Sequence, residues 1–326
     1  MTDTKRLPAA FGYAAVLSVL IVSVFCGLYF GPVPMSLWDL LAMLDLGPRG
    51  VTTEAAKYTL VWDLRVPRVM TAAMSGAVLA SGGVMFQAVL RNPLAEPYTL
   101  GVASGASFGA SMAIFFGVGW ITASAFAGSA GAMLLVWFLG ERDGHDVSGT
   151  VLAGVIVGSI LGAALTLLKA IAGDKMNAMV MWMMGSFSAA GWQDVRPMSW
   201  ALCLVVLLSL AYFRELDIMA SGSDGEALGV DVARVRLTLL AGVSLAVSFV
   251  VSRFGVIGFV GLVVPHLLRI LFGPSHRNLL PLSLAGGAAL MCAADTIAKG
   301  FNELPSGVLT VLVGGPVFCF ILWRRK

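Results

Sequence analysis

The chain has 326 residues, 58% of them hydrophobic and only 12% charged, with a mean hydropathy of +0.90. A soluble domain carries about 25% charged residues, so this chain lacks the polar groups to solvate a globular surface and reads as a polytopic membrane protein. Its net charge of +3 gives no argument for nucleic acid.

The first apolar run, Phe11–Phe30, is long enough to span a bilayer. A cleavable signal core is shorter, about 7–15 residues, so the run reads as a first transmembrane helix. Hydropathy then predicts about ten spans, over 11–31, 66–90, 98–118, 120–140, 148–172, 197–213, 237–254, 256–271, 279–298 and 306–323. An even number puts both termini on one side. Lys5-Arg6 and Arg324-Arg325-Lys326 place that side in the cytoplasm by the positive-inside rule.

Three segments between spans stand out. Gly31–Asp63 reads as an external loop with an amphipathic piece around Ser36–Leu44. Gly173–Val195 carries Met181-Trp182-Met183-Met184 and Trp192, and reads as a short interfacial helix on the same side. Arg214–Arg236 is the longest polar cytoplasmic segment. Within it Asp224 is placed to cap a short helix, Glu226 falls in its first turn, and Gly229 stops it. Such a helix suits a groove on another protein; an ordinary loop between spans suits the same residues.

No catalytic constellation is present. His145, His266 and His276 are scattered, and no P-loop, HExxH or GxSxG occurs. Cys26, Cys203, Cys292 and Cys319 lie in apolar runs without paired spacing, as small apolar residues do. Without a phosphate-cradling loop, energy must come from a partner or a gradient. Gradient-driven carriers place ionisable groups within their spans, yet Lys169, Asp295 and Arg253 all fall near span ends. A passive path moved by a partner follows. Its lining candidates are Gln87, Asn92, Pro93, Ser104 and Ser107, with Ser75, Ser81, Thr99, Ser159 and Thr166, all residue types that also serve close helix packing.

Several stretches match one family. Leu64-Arg65-Val66-Pro67-Arg68, the turn from Gln87 to Leu100 containing Arg91-Asn92-Pro93-Leu94-Ala95-Glu96-Pro97, and Trp182–Ser186 come in its order. Gly255–Arg269, Asp295-Thr296, Glu303-Leu304-Pro305 and Gly314-Gly315-Pro316 complete the pattern. The chain resembles the FecCD-like permease subunits of type II ABC importers, which carry iron–siderophores, haem and vitamin B12. The resemblance implies an all-α type II permease fold in a single transmembrane domain, 1–326, with a coupling segment at about 214–236. It implies a homodimer, or a pair with a close paralogue, in a prokaryotic cytoplasmic membrane. Two separate ABC ATPase subunits would hold ATP and Mg, leaving this chain without cofactor, metal or catalytic residue. A soluble periplasmic or lipid-anchored binding protein would deliver the cargo.

By the same resemblance, Asp224, Glu226, Ala227, Leu228 and Gly229 couple to the ATPase, and Arg65, Arg68 and Lys299 meet glutamates of the binding protein. Lys299 departs from the family's arginine and loses the bidentate fork. The expected cargo is a ferric siderophore or haem, with cobalamin as the alternative. A stand-alone secondary transporter would need mid-span ionisable groups, and a structural or sensory protein would have no use for the turn and coupling motifs.

Overall fold

The computed structural model describes residues 8–47, 50, 54–140, 147–221 and 228–324. Among these residues the regular structure is helical throughout. α1 (Ala9–Tyr29) is apolar on all sides. Ser36 caps α2 (Leu37–Leu46) by accepting the Asp39 N–H at 3.1 Å. α3 (Ala55–Tyr58) passes through a π-helical turn, Thr59–Arg65, into α4 (Val66–Val89). After a 3-10 turn at Pro97–Leu100 come α5 (Val102–Phe116), α6 (Ile121–Gly140), α7 (Val147–Ile171) and the short α8 (Met176–Met183). α9 (Trp192–Ala220), α10 (Val232–Phe254), α11 (Val260–Phe272), α12 (His276–Gly300) and α13 (Ser306–Arg324) complete the chain.

Leaving aside α2, α3 and α8, the helices alternate between two ends of a bundle. One end carries Arg68 at the start of α4, with α2, α3 and α8; the other carries Arg91 just beyond α4. Six helical stretches among the described residues are long and apolar enough to cross a membrane, and three shorter apolar helices accompany them. The chain is a multi-pass membrane protein.

α4 is the central helix. In the most apolar window of the stretch it closes, 83% of residues are buried, against 17% for α1. The apolar residues of α1, such as Ile21 and Val22, are therefore exposed at the rim of the single-chain bundle. Glycine sets how closely the others approach α4. A Cβ on Gly76 would fall on the Gly287 carbonyl of α12, and one on Gly83 would fall on the Gly261 carbonyl of α11. Without a hydrophobic drive between helices in lipid, such backbone contact is what holds the bundle.

The spans differ from expectation in four places. The π-helical turn makes Thr59–Arg65 part of the helical stretch leading into α4, where the sequence reading had a loop to Asp63. The span expected from 98 begins as α5 only at Val102, because Pro97 and left-handed Gly101 (φ 76°) interrupt it. The span expected from 256 starts at Val260, after a non-helical stretch in which Ile257 is buried. α9 runs over 29 residues, beyond 197–213 at both ends. At 1.5 Å per residue it is longer than a hydrocarbon core of about 30 Å requires, and its charged residues lie in its first and last turns.

Candidate functional site

At the Arg68 end, the three expected docking cations point inward. Arg65, Arg68 and Lys299 are 5%, 9% and 6% exposed. The π-helical turn aims Arg65 at the C-terminus of α1, where it donates to the carbonyls of Leu28 and Tyr29, each at 2.8 Å, and to that of Val33. These carbonyls have no intrahelical partner, and a cation at that pole is favourable. Arg68 forms a fork on Asp295 of α12 at 2.8 and 3.0 Å, and a second on Glu303 at 3.0 and 2.6 Å. Lys299 donates to the Gly27 carbonyl at 3.0 Å and lies 3.5 Å from Asp295. Two cations thus balance two carboxylates and join α1, α4 and α12. Asn302 and Glu303 take φ of 54° and 58°, a left-handed pair that turns the Glu303 carboxylate back onto Arg68. In the isolated chain its own carbonyls and carboxylates engage all three.

A second pair at this end joins Arg253, closing α10, to Asp194 in the first turn of α9 at 2.9 Å. The indole of Trp192 donates to the Trp62 carbonyl at 2.8 Å, and that of Trp62 to Met43 at 2.8 Å, tying α9 to the cap built on α2.

The five path candidates differ in exposure within the single chain. Gln87 is buried, donating to the Gly261 carbonyl at 3.1 Å and accepting from Arg269 at 2.8 Å. Ser107 is buried and Ser104 half-buried, while Asn92 and Pro93 are exposed on the α4–α5 turn. There the Asn92 side chain accepts the Leu94 N–H at 2.9 Å. In a single chain these residues pack helices and shape a turn.

At the Arg91 end, Asp224, Glu226 and Ala227 lie outside the described residues. Leu228 is 60% exposed and Gly229 has φ of 79°, in a turn shortly before Asp231 caps α10 by accepting from Arg234 N at 3.0 Å. Arg214 continues α9 rather than opening a loop. Sequence reasoning missed the polar ties here: Arg91 to the Met219 carbonyl, and Asp217 to Ser275 and His276. No local spacing announces them, since each joins turns far apart in sequence. His266, the other described histidine, is buried with its ring edge-on to Phe318 at 5.5 Å. Among the described residues no group of three His, Cys, Asp or Glu side chains could hold a metal ion.

Comparison with known proteins sets this geometry in a family. The pattern of the FecCD transport family matches residues 19–324, nearly the whole chain. The chain belongs to the FecCD transport family. It is 38% identical to the cobalamin import system permease protein of Halobacterium salinarum, over 89% of this chain and 80% of that one. It is 34% identical to the hemin transport system permease protein of Yersinia pestis, over 88% and 94%. Among solved structures it resembles an inward-facing putative metal-chelate type ABC transporter, with a TM-score of 0.82 and 28% identity over 95% of this chain and 98% of that one.

Proposed function

We propose that this FecCD chain is the permease subunit of an ATP-driven importer that moves a ferric siderophore or haem across the cytoplasmic membrane of a prokaryote. The observation that carries the reading is its likeness, nearly end to end, to the solved metal-chelate type transporter. The permease works as a homodimer, or with a close paralogue, and two ABC ATPase subunits bind and hydrolyse ATP. Both termini are cytoplasmic, which puts the Arg91 end inside and the Arg68 end outside. ATP-driven closure acts through Asp224, Glu226, Ala227, Leu228 and Gly229 and switches the spans between two states.

A soluble binding protein docks at the Arg68 end. Arg65 and Lys299, turned inward, brace that surface from beneath. Arg68 is the docking candidate: its Glu303 partner is 34% exposed, so a carboxylate of the binding protein would have to displace Glu303 from the guanidinium. The path runs between subunits, with Gln87, Asn92, Pro93, Ser104 and Ser107 as its candidates. Cobalamin is the second reading, favoured by the 38% identity to a cobalamin permease.

The test is ligand-dependent fluorescence quenching of the cognate binding protein against ferric siderophores, haem and cobalamin, followed by uptake into proteoliposomes holding permease, ATPase and ATP. Tight binding and ATP-dependent uptake of an iron chelate supports the first reading. Cobalamin binding moves the cargo to the second, and uptake without any ATPase overturns both.

A further inference from the structure

The last turn of α9 is tied to two neighbouring turns at once. On one side Arg91 donates from Nε to the Met219 carbonyl at 3.1 Å. Arg91 itself sits at φ of 46°, a conformation a non-glycine residue keeps only where its surroundings hold it. Its guanidinium lies where a cation suits the C-terminus of a helix.

On the other side stands Asp217. Its Oδ1 accepts the His276 backbone N–H at 2.8 Å and lies 2.7 Å from His276 Nδ1, and its Oδ2 accepts the Ser275 hydroxyl at 3.4 Å. Ser275, at the N-cap position of α12, makes no capping bond of its own. A carboxylate from α9 therefore caps α12 in its place.

α9 is a single 29-residue helix whose end precedes the segment containing Glu226 and Leu228. α12 starts at the Asp217 contact and carries Asp295, which holds Arg68, at its far end. We infer that Arg91 and Asp217 are positioning residues that make the last turn of α9 a transmission point. They pass its displacement to the α4–α5 turn and to α12. The inference rests on the coupling role proposed for the 224–229 segment.

The complex of permease and ATPase subunits in nanodiscs tests it. Nitroxide labels go on Ala220→Cys, Arg277→Cys or Leu94→Cys, one site per chain, with the exposed cysteines removed as Cys203→Ser and Cys319→Ser. The label-to-label distance between the two permease copies is read without nucleotide and after trapping with ATP and vanadate. In the parent chain all three distances shift. In Asp217→Leu the Ala220 shift persists and the Arg277 shift is lost, and Asp217→Asn restores it because its amide oxygen still accepts the His276 N–H. In Arg91→Ala the Leu94 shift is lost and the Arg277 shift stays. An Arg277 shift that survives Asp217→Leu overturns the transmission while leaving the coupling role intact. An Ala220 pair that never moves in the parent chain overturns the coupling role and the transmission together.

Discussion

The hydroxyl of Tyr98 donates to the Ile257 carbonyl at 3.0 Å and accepts from the Ile257 amide at 3.3 Å. One side chain thereby meets both polar groups of a residue in the non-helical stretch between α10 and α11. Irregular backbone inside a membrane protein persists only where protein satisfies it. Two interruptions from opposite ends of the bundle, the turn at Pro97–Leu100 and the stretch before Val260, support each other here.

Tyr98→Phe keeps the ring and removes both bonds. Leaving Ile257 unpaired should lower stability by about 1–3 kcal/mol. Thermal unfolding in detergent, followed by tryptophan fluorescence, should show a lower midpoint. An unchanged midpoint would mean that Ile257 does not depend on this hydroxyl.

The Arg68 cluster should respond unequally to loss of its two carboxylates. Asp295 is 2% exposed and serves both Arg68 and Lys299, so Asp295→Ala leaves buried cations short of a partner, at a cost of about 3–5 kcal/mol. Glu303 is partly solvated, and Glu303→Gln should cost about 1 kcal/mol or less. Chemical denaturation of the two variants compares them directly. Equal losses would show that Glu303 is as much part of the buried framework as Asp295.

Most of the architecture is legible because the length and hydropathy of the apolar runs at α1, α6 and α7 are those of membrane spans. The interruptions at Gly101 and before Val260 were not, since the apolar run continues through both while the backbone leaves the helix. α9 was foreshortened for the opposite reason: Asp194 and Asp217 lower hydropathy without ending the helix. Among the site residues, the i,i+4 spacing of Asp295 and Lys299 could be read on a helix, but their joint reach to Arg68 and Gly27 depends on the α1–α4–α12 packing.

Close backbone approach gives a contrast between two glycines. Gly83→Ala would drive a methyl group into the Gly261 carbonyl and force α4 and α11 apart, destabilising the bundle by about 1–3 kcal/mol. Nothing lies within 4 Å of a Cβ at Gly131 on α6. Gly131→Ala should therefore be neutral or stabilise by up to about 1 kcal/mol through helix propensity. Midpoints of thermal unfolding should order as Gly131→Ala, parent chain, Gly83→Ala. A parent-like Gly83→Ala would mean that the α4–α11 contact can relax.

Glu96, in the turn that leads to Tyr98, has its carboxyl raised to about 7 because burial disfavours the ionised form. Its charge acts in turn on the Tyr98 hydroxyl. The folded chain therefore holds this proton more tightly than the unfolded chain, whose carboxyl titrates near its ordinary value. Between those two values the folded state binds more protons, so stability from this group falls as pH rises and levels off above about 7. Glu96→Gln removes the titration. Its unfolding midpoint should match the parent's near pH 4 and exceed it increasingly up to neutral pH, with the gap constant beyond. A gap independent of pH would show that Glu96 is solvated well enough to ionise at its ordinary value.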